Sequence, residues 1–184
     1  MSTKNIVLTG FMGTGKSTVG RELAERLGRR FVDTDVVIEQ RHGPIPLIFE
    51  DRGEAAFREF ERTVADELGR QSNLVIATGG GLFMDPNNVE SLAREGRIFC
   101  LTAPSDEIIR RIRSDTSAAN RPLLDTDDPS AKAAILLAER QHIYSQFEQI
   151  ETYMRLSGQV VDDIERRLTI EDPPQNCRPN GRSA

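Results

Sequence analysis

Lys16 stands near the end of Gly10-Phe11-Met12-Gly13-Thr14-Gly15-Lys16-Ser17, a complete G-x-x-x-x-G-K-S spacing, and it is one of three lysines with Lys4 and Lys132. Residues in this order bind phosphate. The glycines let successive backbone N–H groups turn toward phosphate oxygens, the ammonium reaches the β- and γ-phosphates, and the serine hydroxyl meets Mg²⁺. Further on, Phe31-Val32-Asp33-Thr34-Asp35 brings two carboxylates together. Asp33 suits the holding of a water on Mg²⁺, and Asp35 suits acceptance of a proton from an acceptor hydroxyl late in phosphoryl transfer. The same residues also read as an Asp-x-Asp turn capping a helix that begins at Val36.

Three arginines extend the chemistry. Arg58, in Gly53-Glu54-Ala55-Ala56-Phe57-Arg58-Glu59-Phe60-Glu61, has a planar fork suited to a carboxylate, with Glu61 three residues on to hold it. Taken alone, the pair also reads as a solvated ion pair worth less than ~1 kcal/mol. Arg121 opens Arg121-Pro122-Leu123-Leu124, and Arg140 opens Arg140-Gln141-His142-Ile143-Tyr144. An arginine brought over the phosphates stabilises charge on the transferred group, worth ~10³-fold or more in rate. Arg121 is the candidate for that role, and Arg140 completes a carboxylate clamp if it converges with Arg58. Thr78-Gly79-Gly80-Gly81 follows an apolar strand, as a tight turn or as a close backbone approach to substrate.

These side chains need a frame that brings distant segments to one edge. Short apolar runs alternate with helical periodicity, predicting strands near 5–9, 30–33, 73–77, 97–101 and 150–154. Helices are expected near 16–27, 35–41, 53–69, 86–95, 105–113, 129–146 and 158–168. The pattern predicts a three-layer α/β domain with a five-stranded parallel sheet, with ligands beyond the strand ends. Two stretches exceed ordinary connections: about 35–62, a helical insertion, and about 114–128, a polar segment suited to a lid. A single domain over 1–170 is expected, with a disordered tail over 171–184.

Several classes are disfavoured. The strand Leu74-Val75-Ile76-Ala77 does not end in aspartate, and no Asn-Lys-x-Asp occurs, which removes the GTPase switches. A formal net charge of −5 gives no basic footprint for nucleic acid. The absence of a long apolar run argues against a membrane span, and a strand starting so near Met1 argues against a leader. Cys100 reads as a small core residue, Cys177 lies in the polar tail, and His42 and His142 read as solvated surface. A cytoplasmic monomer acting on small molecules is the expectation.

Taken in order, the phosphate loop, F-x-D-x-D, the G-E…F-R…E helix, the triple glycine, R-P-L-L and R-x-x-x-Y resemble shikimate kinase from about residue 5 to 145. The resemblance implies a nucleoside-monophosphate-kinase-like fold, ATP and Mg²⁺, and phosphorylation of the 3-hydroxyl of shikimate on the way to chorismate and the aromatic amino acids. It implies nucleotide contacts from Gly13, Thr14, Gly15, Lys16, Ser17, Thr18, Arg121 and Arg111, with Arg111 near adenine. Mg²⁺ would be held through Ser17 and Asp33. Lys16, Asp35 and Arg121 would carry catalysis, with Asp35 also touching the substrate hydroxyls. Arg58 and Arg140 would grip the shikimate carboxylate, Gly80 would donate its N–H, Glu61 would orient Arg58, and Phe49 and Phe57 would wall the pocket. The chain departs from the family pattern in Leu82 after the triple glycine, in the longer segment before Asn120 and in the sequence after Tyr144. Kinases for another polyhydroxy acid such as gluconate, and a non-catalytic nucleotide-binding module, are the competing readings.

Overall fold

Ile6-Val7-Leu8, Val75-Ile76 and Ile98-Phe99-Cys100-Leu101 are apolar at every position, and only a strand covered on both faces can bury such a run. In the computed structural model, which describes residues 3–114, 122–124 and 126–169, these runs form the middle of a five-stranded sheet. The strands are β1 (Asn5–Thr9), β2 (Arg30–Asp33), β3 (Leu74–Ala77), β4 (Gly96–Thr102) and β5 (Glu148–Glu151). Their order is β2-β3-β1-β4-β5, and every pairing is parallel. Among the described residues the helices are α1 (Lys16–Leu27), α2 (Thr34–His42), α3 (Ile45–Gly69), α4 (Pro86–Ala93), α5 (Ser105–Ser114), α6 (Pro129–Tyr144) and α7 (Ser157–Thr169).

Alternation along the strands divides the core into two layers. Ile6, Leu8, Phe99 and Leu101 face Val19 and Leu23 of α1 and Val160, Val161 and Ile164 of α7. Val7, Ile76, Ile98 and Cys100 face the other way, toward Ile38 of α2, Val64 and Leu68 of α3, Leu92 of α4, Ile108 and Ile112 of α5 and Leu136 of α6. Each such side chain contributes ~1.5–3 kcal/mol by leaving water, so the sheet is a firm base for whatever its edge carries. The chain leaves β1 toward one layer and β3 toward the other, and ligands bind at such a divergence beyond the strands' carboxyl ends. Gly10, Asp33, Thr78 and Thr152 all lie at that edge.

The expected strands and helices appear, with two informative differences. The segment expected as a strand over 150–154 pairs instead as Glu148–Glu151, with Ile150 opposite Leu101. Tyr153 and Met154 made the later segment look strand-like, yet Met154 is 86% exposed with φ 53 and turns the chain away from the sheet. The helix expected from 53 begins earlier, at Ile45, and breaks at Gly53, where φ 77 and ψ 169 are open essentially to glycine alone. Leu82, the departure from the small residue usual after the triple glycine, is fully buried in the core, so its bulk is absorbed there.

Candidate active site

The phosphate loop is shaped by its exit from β1. Gly10 takes φ 129, and a Cβ there would lie 2.3 Å from the carbonyl oxygen of Leu101. Phe11 then turns into the core, and the loop folds round the Lys16 ammonium, which donates to the carbonyls of Gly10 at 2.8 Å and Phe11 at 2.9 Å. The Thr14 hydroxyl and backbone N–H both donate to the Phe11 carbonyl, at 2.8 and 3.4 Å, so this residue braces the loop. Thr18 is exposed on the first turn of α1.

Ser17 and Asp33 meet directly. The Ser17 hydroxyl donates to Asp33 Oδ2 at 2.6 Å, while Asp33 Oδ1 accepts from the backbone N–H of Asp35 at 3.1 Å. Asp33 therefore caps a helix that begins at Thr34, two residues before the expected Val36, while its other oxygen meets the Ser17 hydroxyl of the loop. A hydroxyl and a carboxylate side by side are the hard oxygen donors that Mg²⁺ takes when phosphates and waters complete its octahedron.

Asp35, in the first turn of α2, is half-buried, and its Oδ1 is buried without a hydrogen-bond partner among the described residues. Burial pushes its carboxyl up to about 7, helped by the negative charges of Asp33, Glu61 and Glu39 and opposed by Lys16. Gly79 makes room for it: a Cβ at Gly79 would lie 2.4 Å from Asp35 Oδ1 and 3.2 Å from Glu61 Oε1. The Gly79 N–H is held by the buried Thr34 hydroxyl at 2.8 Å, which locks the triple glycine to the start of α2. A carboxylate poised near neutrality beside a lysine and a phosphate loop is equipped to take a proton from an attacking hydroxyl.

Arg58 and Arg140, far apart in the chain, converge on the triple glycine. Arg58 donates through Nη1 to Glu61 at 2.7 Å and through Nη2 to Glu54 at 2.6 Å, and its guanidinium lies over the Phe57 ring at 5.4 Å. Glu61 is 1% exposed, which removes the reading of a solvated pair. Burial raises its pKa, against the pull of Arg58 and then of Arg140. Nη1 of Arg140 donates to the Gly80 carbonyl at 3.1 Å, and a Cβ on Gly81 would lie 2.8 Å from Arg58 Nη1. Phe49 and Phe57 stand beside this corner with ring centroids 5.1 Å apart.

On the other flank, Arg111 of α5 fastens the phosphate loop to the end of β5. Its Nη1 donates to the Gly13 carbonyl at 3.3 Å and to the Thr152 hydroxyl at 3.2 Å, and its Nε to Glu107 at 2.6 Å. Hydrogen bonds from Arg110 and Arg111 hold the Glu107 carboxyl down at about 2. Arg121 lies outside the described residues, as do Asn120, Cys177 and the tail over 171–184. Leu124, on the short helical turn Pro122–Leu124, is buried in the core.

Sequence reasoning assigned no individual role to Thr34, Glu107 or Tyr144. The i,i+4 spacings of Glu107 with Arg111 and of Arg140 with Tyr144 were visible signals. The long-range bond from Gly79 to Thr34 left no local trace. His42 and His142 are exposed, and His42 stacks on Phe60 with centroids 3.7 Å apart.

The family model described as Shikimate kinase matches residues 12–169. A shikimate kinase of Prochlorococcus marinus (strain MIT 9313) is 41% identical over 177 residues, covering 96% of this chain and 88% of that protein. One from Halorhodospira halophila (strain DSM 244 / SL1) is 44% identical over 164 residues, covering 89% of this chain and 90% of its own. Among solved structures, the shikimate kinase from Acinetobacter baumannii in complex with shikimate superposes with TM-score 0.84 at 39% identity, covering 90% of this chain and 92% of that one.

Proposed function

The chain belongs to the shikimate kinase family, and from that premise we propose how its own residues divide the work of the reaction. The enzyme transfers the γ-phosphoryl group of ATP to the 3-hydroxyl of shikimate, giving shikimate 3-phosphate and ADP, with Mg²⁺ as cofactor.

Backbone N–H groups of the loop from Gly13 to Thr18 cradle the phosphates, and Lys16 bridges toward the transferred group. Ser17 and Asp33 would hold Mg²⁺, which would supply neutralisation of the negative charge on the ATP phosphates. Asp35 accepts the proton of the 3-hydroxyl as its oxygen bonds to phosphorus and the bond to the departing ADP oxygen breaks. Arg58 and Arg140 take the shikimate carboxylate, with Glu61 keeping Arg58 in place and Phe49 and Phe57 walling the ring. The Gly80 N–H completes the seat.

Arg111 braces the adenine side. Arg121, from its motif, is the lid arginine within about 114–128, and the helical arm over about 35–62 carries the acceptor. A lid that closes only over both substrates spares ATP from hydrolysis. A single domain over 1–170 holds these parts.

The observation that carries this reading is the position of Asp35. Its buried, unpartnered Oδ1 lies against Gly79 and near Glu61, at the corner where Arg58 and Arg140 converge. No helix among the described residues is long and apolar enough to cross a membrane. Dependence on ATP supports a cytoplasmic location, and a site assembled wholly within one chain supports a functional monomer.

Phosphorus NMR of the reaction with ATP, Mg²⁺ and shikimate tests the assignment. A phosphomonoester on carbon 3 is expected. Phosphate on another hydroxyl, or inorganic phosphate alone, would contradict it.

A further inference from the structure

The carbonyl oxygen of Gly80 is where the clamp is anchored. Arg140 Nη1 donates to it at 3.1 Å, and the Tyr144 hydroxyl donates to the same oxygen. These residues are four apart on α6, so both reach down from one face of the helix. Tyr144 is 3% exposed, with its ring packed in the larger core layer. Arg140 also shares a side-chain hydrogen bond with the Tyr144 hydroxyl, so two of the five N–H donors of its guanidinium have partners within this corner.

An arginine that serves a substrate carboxylate as well as the Gly80 carbonyl divides its donors between the two acceptors. Any shift of the guanidinium toward the carboxylate weakens the hold on Gly80, and an acceptor left without a donor in a part-buried site costs binding energy. The Tyr144 hydroxyl removes this conflict, since it keeps the carbonyl satisfied while Arg140 moves. It also fixes the plane of the peptide joining Gly80 to Gly81, because that unit is rigid. Gly81 is the residue against which Arg58 lies. One hydroxyl therefore steadies the surface shared by both arms of the clamp.

We propose that Tyr144 is a positioning residue for the acceptor: by holding the Gly80 carbonyl it frees Arg140 to bind the carboxylate and sets the peptide that borders Arg58. The inference rests on the reading that Arg58 and Arg140 grip shikimate.

The test is Tyr144→Phe, which keeps the packed ring and leaves Arg140 as donor to the carbonyl, so the fold is retained. Loss of the hydroxyl is expected to raise the KM for shikimate roughly ten-fold. Calorimetric titration with shikimate alone should show the same ratio, with kcat and the KM for ATP held within about two-fold. Unchanged shikimate affinity, or equal losses for both substrates, would overturn the proposal.

Arg140→Ala separates the two levels. If it weakens shikimate while Tyr144→Phe does not, the positioning role is wrong and the clamp stands. If neither variant moves shikimate binding, the clamp fails and the positioning role falls with it. A second measurement needs no change at Tyr144: the chain has two tyrosines and no tryptophan, so in Tyr153→Phe near-ultraviolet absorption reports on Tyr144 alone. Adding shikimate should produce a difference band, and its absence would count against the proposal.

Discussion

Asp35, the proposed base, sits in an environment that also makes it a weak point. Its carboxyl is raised from 3.8 to about 7 chiefly by burial, so the folded protein holds a proton there that the unfolded chain has already released. Below the unfolded value both states are protonated and nothing is lost. As pH climbs through the interval to about 7, the unfolded state gains by ionising while the folded state does not, and stability falls. Asp35→Asn, which cannot ionise, is therefore expected to be more stable than the wild type at pH 8 by about 2 kcal/mol, or ~4–8 °C in melting temperature. The difference should vanish as pH approaches 4. A melting series in which the variant is less stable at pH 8 would show that the carboxylate is not strained by its site. Asp35 was a candidate from sequence because Phe31-Val32-Asp33-Thr34-Asp35 sets two carboxylates at the end of the second strand. Its pKa was not legible, since that depends on Gly79 and Glu61, which only the fold brings beside it.

At the level of elements, α3 carries the proposed acceptor clamp residues Arg58 and Glu61. Its break at Gly53 lets Ile45–Asp51 run in one direction and the part carrying Glu54, Phe57, Arg58 and Glu61 in another. A Cβ at Gly53 would meet nothing within 4 Å, so only the backbone conformation forbids a side chain. Gly53→Ala is expected to cost about 1–3 kcal/mol of stability. The KM for shikimate should rise more than that for ATP, because straightening the break swings Arg58. Equal changes in both KM values would argue that the kink is incidental to the clamp. The same helix marks a limit of sequence reading: within the helical insertion over about 35–62 the pattern was placed from 53, although the chain is already helical from Ile45 and Ile48 is 2% exposed in the core. The edge strand β5 was misplaced by about two residues because its partner Leu101, rather than its own polar sequence, decides the register.

Across the whole molecule, the central strands announced themselves by continuous apolar runs, and the parallel sheet followed from their alternation with helices. What could not be read was convergence. Arg58 on α3, Arg140 on α6 and the glycines after β3 come together only because β3 ends beside β1 and the long helices fold back over that edge. The most direct test of the account is ADP release by the purified protein with Mg²⁺ and ATP, with and without shikimate, in the wild type and in Asp35→Asn, with ATP affinity measured for both. The account predicts release that depends on shikimate, a fall of about 10²–10⁴-fold in the variant, and ATP binding close to normal. Turnover within a few-fold of wild type in Asp35→Asn, or ADP release indifferent to shikimate, would contradict it.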